Sequence, residues 1–308
     1  DGQLGKIYNN AQLMGKIDLP THISTSFRFI ASISTFDYYK KDKLFSRNDK
    51  PSFNSKDERF VKLMVALPFL ANKRAEFSLG YGQLEDNYFQ SSVIDFDKDR
   101  SDRSTYKLLG GSIGFYGSTL NTRQYATKGY LEKLIAQVFT GRERFEPGNP
   151  QEGYSPSPQE RQSWLQISYM KEAYHTMGPK FTLGWMAEAL YSSKNFSENY
   201  TATMMQAGEF APTPHSKLMY NEAFRATQYV AAGIKPIYVL NDMFQFRTEF
   251  YGFTPIFPIK KNALNKAYYG KAFSRFEYMG EVSVICHLPF GAISAYVNHY
   301  SSPRREWN

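Results

Sequence analysis

The sequence predicts an all-β fold, a transmembrane antiparallel up-and-down β-barrel, and three observations predict it. The first is a recurring unit of alternating strand, tight turn, alternating strand and long polar loop. Tight turns fall near Pro20, Pro68 to Lys73, Asn121 to Gly129, Thr176 to Pro179, Leu240 to Asp242 and Pro289 to Gly291. Longer stretches lie around 41–58, 88–104, 142–160, 193–224 and 255–273. A meander places its two sets of connections at opposite ends, and short turns at one end with long loops at the other is the plan of outer-membrane barrels. The second is strand length: roughly 11–18 residues, against about 5–6 in globular sheets. The third is composition. Aromatics make up 17% of the 308 residues, yet mean hydropathy is −0.50. A polar average with many rings suits an apolar outer band, aromatic girdles and a polar interior.

Twelve strands follow, over 8–19, 22–40, 59–68, 75–87, 104–119, 129–142, 160–174, 181–193, 225–239, 243–254, 274–287 and 290–301. Period-2 alternation divides each into two faces. Phe27, Phe29, Ala31 and Ile33 oppose Arg28, Ser32 and Ser34; Val61, Leu63, Val65 and Leu67 oppose Lys62 and Met64. Leu134, Ala136 and Val138 oppose Lys133 and Gln137, while Leu183, Trp185, Ala187 and Tyr191 oppose Gly184 and Glu188. Phe244, Phe246, Thr248 and Phe250 oppose Gln245, Arg247 and Glu249, so Gln245, Arg247 and Glu188 are candidate polar wall residues of a lumen. Periodicity alone does not say which face is wet, because a soluble sandwich alternates as well. Adjacent rings at Tyr38-Tyr39, Tyr88-Phe89 and Phe115-Tyr116 mark where girdles would lie.

Composition also excludes. The longest apolar run, about Leu63 to Ala71, is far short of the roughly 20 residues of a spanning helix. The single cysteine, Cys286, rules out an intrachain disulfide framework and reads as a small strand residue on an apolar face. The formal charge of +8 is spread through strands and loops with no basic helix or arm, so nucleic acid is not expected as a partner. Anionic surface glycolipid or small anions fit that charge better. The opening Asp-Gly-Gln-Leu is no leader, so either a leader has been removed or the chain is an internal stretch of something longer.

Several segments carry a family resemblance. Thr119-Leu-Asn-Thr-Arg-Gln-Tyr-Ala-Thr-Lys-Gly129 resembles a recurrent turn of the bacterial surface antigen superfamily of outer-membrane translocator barrels. Leu288-Pro-Phe-Gly-Ala-Ile-Ser-Ala-Tyr-Val-Asn-His-Tyr300 is similar to that superfamily's penultimate strand. Asn199-Tyr-Thr-Ala-Thr203, Phe210-Ala-Pro-Thr-Pro-His-Ser216 and Glu222-Ala-Phe-Arg-Ala-Thr-Gln-Tyr-Val-Ala-Ala-Gly233 resemble one branch, the patatin-like phospholipases of Bacteroidetes type. The resemblance runs from about Asn10 to Tyr300. It implies a patatin hydrolase domain, a small POTRA-like periplasmic module and a barrel of 16 strands. Residues 1–308 are then expected to be one domain, strands four to fifteen, with the enzymatic part, the first strands and the closing strand lying elsewhere.

The superfamily also carries a loop that folds into the lumen, its Arg-Gly-aromatic tip paired with an acidic wall residue. The matching residues are Arg225 and Glu249, with Ala226 in the place of the Gly. A charge away from bulk water is costly unless paired, which is the reason to expect the pair. The alternative is that Arg225 opens a strand at the rim and Glu249 pairs with Arg247 or another wall cation. Other signals mislead. Gly110-Gly-Ser-Ile-Gly114 has the spacing of a nucleophile elbow but lies mid-strand, and the Asp-Gly a patatin dyad needs occurs only at Asp1-Gly2, upstream. Asp95-Phe-Asp-Lys-Asp99 opens like a calcium loop but has Arg100 at the sixth position and Tyr106 at the twelfth. The five histidines (His22, His175, His215, His287 and His299) lack metal-pair spacing. The chain is thus expected to hold no catalytic residue, metal or cofactor of its own.

The resemblance implies a bacterial outer-membrane protein that anchors, and as a candidate role translocates, an appended lipid acyl hydrolase with a Ser-Asp dyad. The expected partners are outer-membrane lipids, the patatin and periplasmic domains of the same polypeptide, and either a second copy or the outer-membrane assembly machinery. Alternatives are a stand-alone protein translocation or assembly barrel and, less favoured, a diffusive porin, which the stretch from Ser193 to Phe224 would plug.

Overall fold

Alternation becomes antiparallel strand along nearly the whole chain in the computed structural model, which describes residues 2–3, 8–19, 24–38, 54–90, 98–149, 161–289 and 291–301. The wall strands are β1 (Gly2–Gln3), β2 (Tyr8–Leu19), β3 (Thr25–Tyr38), β4 (Asn54–Leu70), β5 (Lys73–Tyr88), β6 (Asp102–Ser118), β7 (Gly129–Glu146), β8 (Gln162–Thr176) and β9 (Phe181–Ser192). The long connection that follows holds α1 (Tyr200–Gln206), β10 (Gly208–Glu209) and β11 (Arg225–Ala226). The wall resumes with β12 (Gln228–Val239) and β13 (Phe244–Pro255). A loop hairpin, β14 (Ile259–Lys261) and β15 (Ala267–Tyr269), precedes β16 (Glu277–Leu288) and β17 (Gly291–Tyr300).

The wall is a single sheet in the order β1-β2-β3-β4-β5-β6-β7-β8-β9-β12-β13-β16-β17, so each strand pairs with its sequence neighbour and twelve of the thirteen are long. The connection from β9 to β12 reveals the curl of that sheet. Tyr220 packs against Tyr38 of β3, with ring centroids 5.2 Å apart, and four residues later Phe224 packs against Tyr300 of β17 at 5.8 Å. Two strands near opposite ends of the sheet thus face each other across a width one loop can span. The sheet is a barrel wall, although among the described residues no ladder joins β17 to β1 or β2.

The alternation resolves inside out. Phe246 and Phe250 of β13 are 47% and 53% exposed, whereas Arg247 and Glu249 between them are 2% and 6% exposed. The same holds around the wall: Leu63, Leu79, Val138, Ile234 and Val282 face outward, and Asp86, Glu143, Lys235 and Glu281 are buried on the inner side. A soluble protein does not leave an apolar belt of this extent in water. A lipid-facing barrel does, and the wall strands from β3 to β16 also satisfy their backbones through neighbours on both sides. Cys286 lies outward with Val282 and Val284, paired to Ile293 across the ladder.

Three expectations are corrected. The strand expected over 59–68 begins at Asn54, because Lys56, Asp57, Glu58 and Arg59 continue the ladder with β5 beyond the apolar belt. The strand expected over 225–239 is two elements: Arg225 and Ala226 pair with β10 inside the lumen, and β12 starts after Thr227. Tyr38 and Tyr88 are not girdle residues, being 8% and 0% exposed, because at these strand ends both rings turn to the inner side; Tyr39 lies outside the described residues. Phe115 does face out, while Tyr116 turns inward under the Arg74 guanidinium. The turn at Pro20, residues 41–53, Asp95 to Asp97 and 304–308 lie outside the described residues.

The elbow-like Gly110 to Gly114 sits within β6, with Ser112 Oγ 2.6 Å from Ser78 Oγ on β5. A Cβ on Gly110 would stand 2.6 Å from the Phe139 ring, so this glycine is the recess that lets the ring lie flat in the lumen wall.

Candidate functional site

The lumen is where the buried charges gather. The connection between β9 and β12, residues 193–227, folds down into it rather than out into solvent. Its helix α1 starts where Asn199 accepts a hydrogen bond from the Ala202 amide at 2.9 Å, a standard N-cap. The same Asn199 donates through Nδ2 to the Tyr88 hydroxyl of β5 at 2.7 Å. At the other end of α1 Gln206 donates to Asp86 of β5 at 2.5 Å. From β6 the Tyr106 hydroxyl is within 2.9 Å of Ser197 Oγ and donates to Glu143 of β7 at 3.0 Å. The hairpin β14–β15 covers the helix from outside, with Ile259 in one apolar cluster with Met204 and Ala207, and the Tyr269 ring 4.5 Å from Phe196.

Arg225 is the hub of this loop. One guanidinium nitrogen donates to the carbonyls of Met204, Met205 and Ala207 at 3.2–3.4 Å, so the cation caps the C-terminus of α1, where carbonyls lack intrahelical partners. The other donates to Glu209 Oε2 at 2.5 Å. That pair is built by register, since Glu209 and Arg225 stand opposite each other on the β10–β11 ladder. The guanidinium also lies 4.7 Å over the Tyr220 ring. Burial pushes the Glu209 carboxyl above its usual range, against the pull of Arg225. Lys194, at the entrance of the loop, sits over the rings of Tyr106 and Trp164 at 4.5 and 5.2 Å. Burial pulls its ammonium down to about 8, although Glu143 and Asp86 hold it up in part.

Farther along, Phe210 enters an aromatic cluster with Tyr229, Tyr251, Phe253 and Phe224, the loop's apolar anchor. A tight turn then aims His215: Ser216 donates its amide to Thr213 Oγ1 and its hydroxyl to the Thr213 carbonyl. His215 Nδ1 is 2.9 Å from Glu281 on β16 and its Nε2 is 3.2 Å from Ser294 Oγ on β17. Thr213 donates to the second Glu281 oxygen at 2.9 Å. Carboxylate, imidazole and hydroxyl in that order are the components of an acyl-transfer triad. An acyl-transfer site also needs donors waiting for the oxyanion. The donor the structure aims at Ser294, the Tyr125 hydroxyl, is spent on Oγ itself at 3.0 Å, and the imidazole is stacked on Tyr296 with centroids 3.4 Å apart. These bonds latch the loop to two wall strands.

Tyr125 belongs to a second stopper. The turn between β6 and β7, residues 119–128, comes in from the short-turn end. Asn121 organises it by accepting from the amides of Thr127 and Lys128. Arg247 of β13 donates to the Ala126 carbonyl at 2.9 Å and to Glu249 at 2.9 Å, and Gln245 donates to the Tyr125 carbonyl at 3.2 Å. Tyr251 donates to the other Glu249 oxygen at 2.5 Å, and Lys235 pairs with Glu172 at 2.7 Å beside Tyr174.

The structure therefore places the expected residues in the lumen but does not bring Arg225 and Glu249 together. The Arg225 charge is paired within its own loop by Glu209, and that of Glu249 by its wall neighbour Arg247 with Tyr251 donating to its other oxygen, so neither charge is left to seek the other. Gln245 and Arg247 hold the 119–128 turn. Glu188 accepts from the Tyr229 hydroxyl at 2.5 Å, joining β9 to β12 below β10. Lys194, Glu209, Tyr125, His215, Glu281 and Ser294 were not anticipated as site residues. Glu281 alone had a visible signal, a carboxylate between outward Gly280 and Val282; the others lie in loops, on the two-residue strand β10 or as neutral strand residues, where alternation carries no information about partners.

The geometry is that of a membrane β-barrel with a stoppered lumen, and the comparisons agree with it at the level of fold. The structure of BamA from Haemophilus ducreyi lacking POTRA domains 1-3 superposes with a TM-score of 0.61 at 11% identity, covering 97% of this chain and 59% of that one. The chain thus spans less than two thirds of that relative's length. A second solved structure, BauA, the ferric preacinetobactin receptor from Acinetobacter baumannii, gives a TM-score of 0.46 at 9% identity over 97% of this chain and 48% of that one, too loose to argue from. No family model matches the sequence. No curated protein matches it either.

Proposed function

We propose that this chain is the membrane-embedded barrel of a bacterial outer-membrane protein, serving as anchor and translocation element for an appended patatin-like phospholipase. The observation that carries the reading is the filling of the lumen by residues 193–227, locked at Arg225 and at Glu281. A barrel so occupied is a platform or a gated passage, not an open pore. The hydrolase half of the proposal rests on the patatin-like resemblance, whose segments 199–203, 210–216 and 222–233 supply the helix cap, the aromatic anchor with its latch, and the Arg225 hub. On this reading lipid acyl hydrolysis is performed by a POTRA-linked patatin domain of the same polypeptide, and the barrel itself carries no active site. Its surroundings are outer-membrane lipids, with a second copy or the assembly machinery as candidate protein partners. The alternative, a stand-alone translocation or assembly barrel, is favoured by the likeness of its fold to BamA.

The test is the intact mass of the native protein extracted from outer membranes in detergent, followed by labelling with a fluorophosphonate. A mass more than twice the 35.5 kDa of this chain, with serine labelling outside residues 1–308, supports the appended hydrolase. A mass near 35.5 kDa removes the hydrolase and leaves the assembly-barrel alternative.

A further inference from the structure

On the outward face of four adjacent strands, register aligns a row of cations. Arg59 of β4 stands opposite Gln83 of β5, Gln83 opposite Lys107 of β6, and Lys107 opposite Arg142 of β7. All three cations are exposed. The row lies four or five residues from the long-loop ends of its strands, and the next row toward the barrel's middle is Val61, Tyr81, Leu109 and Thr140. Beyond it come Leu63, Leu79, Gly111 and Val138, apolar and 57–59% exposed where they carry large side chains. Charge therefore begins one ladder step above the lipid-facing belt, at the height of the headgroups of the outer leaflet.

These cations are uncommitted. Among the described residues none of the three makes an ion pair. The nearby outward carboxylates, one or two rows farther up, are engaged elsewhere: Asp57 by the Thr35 hydroxyl at 2.5 Å, Glu85 by Arg103 at 3.3 Å, and Glu146 by Arg144 at 2.9 Å. Arg161 adds a fourth positive charge by reaching Thr140 at 2.9 Å. Beside the row, a groove of about 640 Å³ runs over Ala11 and Ala31 between Leu13, Ile33, Val61 and Tyr81, with Arg59 at its margin. Two alanines where neighbouring strands carry large side chains make an apolar trough that ends at a guanidinium.

We propose that this face binds a phosphorylated lipid of the outer leaflet, its phosphates on Arg59, Lys107 and Arg142 and an acyl chain in the Ala11–Ala31 groove. With strands about 4.8 Å apart the row is about 14 Å long, enough for a headgroup with more than one separated negative charge. Each exposed cation near an anionic lipid surface contributes about fivefold in binding, so the three together contribute about 100-fold. The proposal rests on reading the chain as a membrane barrel, but it fails separately: a barrel that inserts and shows no preference for anionic lipid sinks this site and leaves the barrel intact.

The experiment uses the full-length protein in a neutral detergent, titrated with phosphatidic acid or with phosphatidylcholine and read by native mass spectrometry. Heat-modifiable gel migration confirms that each variant is folded. The wild type retains phosphatidic acid over phosphatidylcholine, binding falls with added salt, and inorganic phosphate at matched concentration fails to displace it. The R59Q/K107Q/R142Q variant binds phosphatidic acid about 100-fold more weakly. R103Q/R144Q, which removes cations already paired with carboxylates, leaves binding unchanged. Equal retention by R59Q/K107Q/R142Q, or equal loss in R103Q/R144Q, overturns the site. Displacement by inorganic phosphate alone overturns the lipid assignment, as does a protein dimer that covers this face and excludes the lipid.

Discussion

Arg225 shows how a single side chain can hold a loop in a lumen. It closes a helix C-terminus, pairs across a two-residue ladder and lies on an aromatic ring, all inside the same excursion. Removing one partner of a buried ion pair costs about 3–5 kcal/mol, so Arg225→Met is expected to lower the protection of residues 193–227 from protease by about two to four powers of ten. Glu249→Gln is expected to leave that protection unchanged and to loosen the 119–128 turn instead, because Glu249 orients Arg247 rather than Arg225. Limited proteolysis in detergent with identified cut sites separates the two. Lys194 gives a second residue-scale expectation. Its amine is near 8 when the loop is docked, against an ordinary value of 10.5. Between about pH 8 and 10.5 the released loop therefore binds more protons than the docked one, and docking tightens as pH rises through that window. The emission of Trp164 should titrate with a midpoint near 8, and Lys194→Met should abolish the titration. None of this was legible from alternation. Arg225 and Glu249 stand out in the sequence as charges that need partners, but a charge's partner is settled by which neighbour is cheapest to reach, and Glu209 lies on a two-residue strand too short to leave a pattern.

At the level of elements, the turn at the β6–β7 junction deserves the most direct test. Gly129 has φ +87°, and a Cβ there would lie 2.1 Å from the Thr119 carbonyl oxygen. Gly129→Ala is expected to destabilise the folded barrel by about 1–3 kcal/mol, seen as a lower temperature for loss of the compact gel band. The wall strands themselves were readable because each presents one face to lipid, and lipid enforces period 2 along the belt. Their ends were harder. Lys56 to Glu58 looked like loop because charge normally ends a strand, yet at the long-loop end both faces of the wall are wet, and the ladder continues on backbone pairing alone. The lumen loop was visible as a long polar stretch. Its helix, hairpin and two latches were not, since each is fixed by contacts to strands distant in sequence.

For the whole molecule, the ordering principle is inversion, charge inside and hydrocarbon outside. Two adjacent residues test it. Val138 faces outward at 59% exposure near the middle of β7, and Gln137 faces the lumen. Val138→Arg is expected to cost about 2–4 kcal/mol in folding into lipid vesicles, whereas Gln137→Arg is expected to cost little. Equal costs at the two positions would mean that the outward face does not meet hydrocarbon. The same inversion explains how a strongly polar sequence can be a membrane protein: half of every strand is spent on a lumen that is then filled from both ends.

That filling has a consequence at one atom. The stopper from the long-loop end, through His215, and the stopper from the short-turn end, through Tyr125, both terminate on the hydroxyl of Ser294. A pull on either stopper is therefore felt by the other through a single shared oxygen. The two sides of the membrane meet there like two bolts thrown into one keeper, and a passage that opened at one face alone would still find the door half held.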